Sequence, residues 1–132
     1  KKARGFNPVA SEQFAVADFL NLDTRYDGKF DLVFEHTCLC AIEPSERGAY
    51  VESIKRALKS GGLFLAVFFR QIPNYNGEGP PHPISEEEIE ARFCGDFELL
   101  ESFIPMQTYE SRPMGSEEVR LMRLRDLTRQ RV

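Results

Sequence analysis

Two apolar runs, Phe30-Asp31-Leu32-Val33-Phe34 and Leu63 to Phe69 (LFLAVFF), limit what this chain can fold into more than anything else in it. Neither alternates strictly with polar residues, as a strand with one wet face does. Each is therefore expected to be covered on both faces, as in a parallel sheet sandwiched between helices. The segment between them fits that setting. Pro44 suits a first helical position, Glu46 lies in the first turn where the helix dipole favours an anion, and Tyr50, Ile54, Ala57 and Leu58 fall on one face. Gly61-Gly62 is expected to stop this helix, because glycine adopts the left-handed conformation that a helix end often needs.

The same alternation continues on either side. Phe14 to Phe19 (FAVADF) reads as a buried strand with Asp18 near its carboxyl tip, and Asp27-Gly28 as a turn before the next strand. A second helix starts at Ser85, whose hydroxyl is placed to cap the N–H of Glu88 while Glu88 reaches back, with Ile84 and Ile89 as a hydrophobic staple. Phe97 to Phe103 reads as a strand. Glu118 to Arg125 is read as another, although Leu121, Leu124 and Thr128 also fit a helical stripe. The order strand, helix, strand, helix, strand, strand is that of an α/β, doubly wound sheet ending in an antiparallel hairpin. At 132 residues it amounts to one domain, 1–132.

In such sheets ligands bind outside the carboxyl ends of the strands. Three polar or aromatic clusters fall there: Asp18-Phe19, Glu35-His36-Thr37 and Phe69-Arg70. Acidic residues at the ends of apolar strands are costly to bury without donors, so Asp18 and Glu35 read either as helix N-caps or solvated loop residues, or as partners of a ligand rich in hydroxyl, amine or sulfonium groups. His36 reads equally as a structural histidine or a ligand contact. Metal binding is not expected: Cys38-x-Cys40 and His36 have no second ligand pair, since Cys94 is far along the chain and His82 stands alone. The CxC spacing is not that of a CxxC redox turn. A cysteine nucleophile needs a base held against it and a third group to orient the base, and no orienting group is evident.

Net charge and hydropathy narrow the partners. A formal charge of -4 opposes wholesale binding of a phosphate backbone, and Arg120, Arg123, Arg125, Arg129 and Arg131 read as a solvated basic face, so no nucleic acid is expected. No apolar run approaches the roughly 20 residues of a membrane-spanning helix. The first residues, Lys1-Lys2-Ala3-Arg4-Gly5, do not lead into a signal-type stretch, and the expectation is a cytoplasmic protein with its three cysteines reduced.

The succession FAVADF, GKFDLVFEHTCLCAIEP, ALKSGGLFLAVFF and NGEGPPHPISEEEIEARF resembles the later part of a class I S-adenosylmethionine-dependent methyltransferase, of the thiopurine S-methyltransferase and thiol or halide methyltransferase group. The resemblance runs from about Phe14 to Phe103. It implies a Rossmann-like sheet, S-adenosyl-L-methionine as cofactor and a small-molecule acceptor. By position it places Asp18 and Phe19 beside the cofactor's adenine and Glu35 where the group commonly has an aspartate, with Glu35, His36 and Thr37 facing the ligand. His36 falls near the transfer site, where arginine is frequent. Phe69, Arg70 and the Gly79-Pro80-Pro81 stretch fall on the acceptor side. No catalytic acid or base is implied, because methyl transfer to a soft nucleophile needs chiefly alignment and exclusion of water, although a thiol acceptor gives His36 a proton to take.

The group's glycine-rich cofactor loop, and the first two strands that flank it, have no counterpart in this sequence, and Lys1 to Pro8 reads as a helix remnant or loop. Without those strands the sheet has a gap, so a missing N-terminal half or a partner chain is expected to complete it. The competing expectation is a non-catalytic methyltransferase-like module that binds a partner chain.

Overall fold

The computed structural model describes residues 11–126. Its core is a four-stranded sheet of β1 (Phe30–His36), β2 (Leu58–Phe69), β3 (Phe97–Phe103) and β4 (Glu117–Leu124), with helices α1 (Arg47–Ala57) and α2 (Glu86–Phe93). The spatial order is β1-β2-β4-β3; β1 and β2 are parallel, and β4 runs antiparallel to both its neighbours. The α/β class and the closing antiparallel pair are as expected, with β4 inserted between β2 and β3. The helical alternative for the last element is excluded over Glu117–Leu124; Thr128 lies outside the described residues, as do Arg129, Arg131 and Lys1 to Pro8.

Register explains the core. Phe64, Ala66 and Phe68 of β2, with Met122 and Leu124 of β4, point to the helical side and are buried against Tyr50, Val51 and Ile54 of α1 and Ile89 and Phe93 of α2. Phe93 is the hub, its ring centroid 5.5 Å from Phe64, 5.6 Å from Phe68 and 5.8 Å from Phe97.

The other face overturns an expectation. Leu32 and Phe34, register partners of Leu63 and Leu65, are 50% and 60% exposed, and no helix among the described residues covers them. The continuous apolar runs thus mark strands that are hydrophobic on both faces but covered here on one. The outer edge of β1 is likewise unpaired among the described residues.

Phe14 to Phe19 is not a strand. Its residues are mostly exposed and none belongs to the described sheet, and Asp18 caps a 3₁₀ turn, Phe19–Asn21, by accepting from the Leu20 N–H at 3.0 Å. A run of strand-forming residues becomes a strand only where a ladder partner exists. The glycine stop is also displaced. A 3₁₀ turn, Pro44–Glu46, precedes α1, which ends at Ala57, and β2 already begins at Leu58. Gly61, at φ 76°, and Gly62, where a Cβ would stand 2.8 Å from the Lys59 carbonyl oxygen, instead accommodate a register shift between β1 and β2. Arg120 is no solvated residue either: its guanidinium is buried between Glu118 and Glu90, 2.8 Å from each.

At α2 the Ser85 cap forms, its Oγ accepting from the Glu88 N–H at 3.1 Å, with Ile84 and Ile89 both buried. The Glu88 carboxylate turns away from the box to accept from Arg47 at 2.8 Å and Arg92 at 2.7 Å. Ser85→Ala therefore removes one helix-end partner and lowers stability by about 1 kcal/mol, read as the shift of the urea midpoint; an unchanged midpoint would count against the cap. Among the described residues no helix is long and apolar enough to cross a membrane.

Candidate functional site

Parallel β1 and β2 end on the same side of the sheet, and β4 begins there, so Glu35-His36-Thr37, Phe69-Arg70 and Glu117-Glu118 converge. Glu35 does not face outward. It is 3% exposed, and its Oε1 accepts from the backbone N–H groups of Leu39 at 2.8 Å and Cys38 at 3.1 Å and from the Tyr50 hydroxyl at 2.9 Å. Burial pushes its carboxyl above the ordinary value against the pull of those three donors. Burial, with the Glu35 charge, likewise pushes the Tyr50 phenol far up. This carboxylate closes the turn after β1, where Thr37 sits at φ 68°, a left-handed conformation rare for a threonine.

The same turn disposes of the cysteines. Cys38 is exposed, with its thiol pushed up first by burial and then by the Glu35 charge, the reverse of an activated nucleophile. Cys40 is buried, with its sulfur 3.5 Å from the Arg112 guanidinium. Cys94 lies on the α2 side and donates to Glu90.

His36 carries the polar end of the site. Its side chain is 25% exposed, with Nε2 3.5 Å from Oε2 of Glu117 and its ring parallel to that of Tyr109, 7° between planes and 5.9 Å between centroids. Glu117, 4% exposed, accepts from Arg112 at 2.7 Å, and Arg112 lies over the Phe69 ring at 4.0 Å. His36 and Glu117 form one end of a cleft of about 360 Å³ whose walls are Val67, Val119, Pro105, Gln107, Thr108 and Tyr109. That volume is within the range of small-molecule sites.

Sequence reasoning missed the wall contributed by residues 104–116. The available signal was its length: a connection this long without an element of its own is commonly functional. Met106, Tyr109 and Met114 also stand exposed on it.

The other expected residues are placed as follows. Arg70 donates to Glu118 at 2.6 Å, and Phe69 is buried under Arg112. Pro80 and Pro81 are exposed and do not line the cleft. Their loop packs around His82, so closely that a Cβ at Gly79 would run into the imidazole. His82 is buried; its N–H donates to the Cys40 carbonyl at 2.7 Å, and its Nδ1 meets the Tyr75 hydroxyl at 2.8 Å. Asp18 is exposed. Phe19 contacts the Tyr50 ring at 5.2 Å, which ties this turn through Tyr50 to Glu35 and the end of β1. Phe19 also lines a separate, wholly apolar hollow of about 260 Å³ with Tyr26, Phe30 and Val33.

Over 94% of the chain and 74% of a Methanosarcina mazei SAM-dependent methyltransferase the folds superpose with a TM-score of 0.71 at 16% identity. A Burkholderia thailandensis 1,6-didemethyltoxoflavin-N1-methyltransferase, solved with S-adenosylhomocysteine, gives 0.64 at 20% identity, over 86% of this chain and 51% of that one. In sequence, a probable thiol methyltransferase 2 of Arabidopsis thaliana is 39% identical over 62 residues, 47% of this chain and 26% of the relative. A 2-heptyl-1-hydroxyquinolin-4(1H)-one methyltransferase of Mycobacteroides abscessus is 34% identical over 79 residues, 58% of this chain and 33% of the relative. The chain thus spans about a quarter to a third of the length of these curated relatives. Family models give the decisive match, that for thiopurine S-methyltransferase (TPMT) covering residues 3–123, and the chain belongs to that family.

Proposed function

We propose that this chain is the acceptor-side part of an S-adenosyl-L-methionine-dependent methyltransferase acting on a small soft nucleophile, a thiol, thiopurine-like or halide acceptor. The cleft at the strand ends carries the reading: its surface is mainly apolar, through Val67, Val119, Pro105 and Tyr109, and the polar pair His36 and Glu117 orients the acceptor. The cofactor supplies an electrophilic methyl group on a sulfonium. The chain's own residues hold its adenine end, with exposed Asp18 suited to the exocyclic amine and Phe19 to the ring face, while His36 and Thr37 at the tip of β1 border the transfer site. Glu35 acts indirectly, by closing the turn that presents His36 and Thr37. On the acceptor side Phe69 supports the cleft through Arg112 and Glu117, and Arg70, paired with Glu118 at the strand end, joins Pro80 and Pro81 in the outer rim.

Alignment of two reactants in a dry cleft is the main requirement of this reaction. The sheet is completed along the open edge of β1 by strands from the rest of the polypeptide or from a partner chain, which also bring the cofactor's glycine-rich cradle. Calorimetric titration of S-adenosylhomocysteine into the full-length protein and into the 132-residue chain tests the reading. Saturable binding to the longer protein and none to the shorter is expected; binding to neither would transfer the argument to a non-catalytic, partner-binding module.

A further inference from the structure

The backbone between β2 and α2 closes on itself. The Ile84 N–H donates to the Phe69 carbonyl at 3.0 Å, so residues 70–83 form an Ω-loop, a compact surface loop whose ends meet. One leg is fixed beside the cleft, where the N–H groups of Arg70 and Gln71 donate to the Ser116 carbonyl at 2.7 and 3.2 Å, next to Glu117. The other leg is fixed to the turn after β1 and to α1: the His82 N–H donates to the Cys40 carbonyl at 2.7 Å, and Arg47 donates to the Pro83 carbonyl at 2.8 Å. The span between the legs has no such hold. Residues 73–78 are exposed, and Asn74 and Gly77 take left-handed conformations at φ 57° and 90°. Among the described residues, every hydrogen bond that residues 73–79 make stays inside the loop.

The His82 imidazole is the core of this span. Tyr75 meets it edge-on, 6.1 Å between centroids and 83° between planes, with its hydroxyl 2.8 Å from Nδ1, and Gly79 lies against the same ring. Histidine is a costly residue for that place. Its Nε2 is buried without a hydrogen-bond partner, and the Glu43 carboxylate, 3.9 Å away, is beyond hydrogen-bond reach. A phenylalanine would fill the space with no polar atom to bury. What the histidine adds is the bond from Nδ1 to the Tyr75 hydroxyl, and that bond holds the exposed span rather than the core of the protein.

We propose that His82 and Tyr75 are positioning residues for the methyl acceptor: their hydrogen bond holds the 73–81 span, with Pro80 and Pro81, in the conformation that borders the bound acceptor. The inference rests on the methyltransferase reading above and gives neither side chain a contact with the reactants. An acceptor that binds only the shaped loop loses apparent affinity in proportion as that shape becomes rarer. Loss of the bond therefore raises the acceptor's KM and leaves donor affinity, which belongs to Asp18, Phe19 and the tip of β1, unchanged.

Thiophenol serves as probe acceptor for the full-length protein. Tyr75→Phe and His82→Phe should each raise its KM by about 10-fold, the upper end for one hydrogen bond, with kcat and the calorimetric affinity for S-adenosylhomocysteine nearly unchanged. The double variant should lose no more than either single one, because both remove the same bond. His82→Asn, which offers a polar atom near the place of Nδ1, should recover most of the loss. Stability should not follow: His82→Phe removes an orphaned polar atom, so its urea midpoint should equal or exceed that of wild type. Independently of turnover, the Tyr75 and Glu78 amides should exchange faster in Tyr75→Phe, while the His82 N–H keeps its protection. Unchanged KM in both single variants, additive losses in the double, a KM that rises only as the midpoint falls, or unchanged amide exchange would each overturn the inference. Failure of the wild type to bind S-adenosylhomocysteine would instead remove the methyltransferase reading, and this inference with it.

Discussion

Glu35→Ala destabilises the protein by about 4 kcal/mol, whereas Glu35→Gln costs little at neutral pH. One carboxylate oxygen serves three donors, the N–H groups of Cys38 and Leu39 and the Tyr50 hydroxyl. Truncation leaves at least the Leu39 N–H and the Tyr50 hydroxyl buried without an acceptor, and each such orphan costs about 1–3 kcal/mol. An amide oxygen in the same place keeps the acceptor. The pH dependence has a definite sign. Burial raises the Glu35 carboxyl above its ordinary value of 4.5, so the native state binds that proton more tightly than the unfolded chain does. Stability from this group is fully present below about 4.5 and is lost as pH rises through the raised value. Urea unfolding from pH 4 to pH 8 should therefore show wild type losing ground against Glu35→Gln as pH rises. A parallel pH course for the two proteins would mean that Glu35 is no more burdened by burial in the native state than in the unfolded chain.

That result bears on function because Glu35 closes the turn that aims His36. Asp18 and Glu35 stand out equally in the sequence as acids next to apolar runs, yet each proves to accept from a local backbone N–H, in a 3₁₀ turn and in the turn after β1 respectively. Burial separates them: Asp18 remains exposed, while Glu35 is turned inward. Sequence patterns located β1, β3, the Ser85 cap and His36 because each depends on residues close together in the chain. Glu117, Arg112 and Tyr109 join His36 only through the insertion of β4 beside β2, and local spacing carries no trace of that pairing. FAVADF misled for a related reason. Its composition is that of a buried strand, but the neighbour that would make it one is not among the described residues.

Phe34→Asp should be nearly neutral for stability in the 132-residue chain and strongly destabilising in the protein with its sheet completed. Phe34 lies on the bare face of the sheet with Leu32, half-buried Leu63 and Leu65, and Leu121 across β2. The 132-residue chain alone exposes that face to water, so an aspartate there removes apolar surface from the solvent. Its cost should stay within about 0.5 kcal/mol, and aggregation and dye binding should fall. A doubly wound sheet carries helices on both faces, so in the protein with its sheet completed a second helical layer is expected over the same position. The aspartate is then a buried, unpaired charge, and the loss should be about 3 kcal/mol or more. Urea midpoints for both variants in both lengths decide the matter. A small effect in each would mean that the face stays bare in the whole protein, and the long apolar runs of β1 and β2 would then need another reason than burial between two layers.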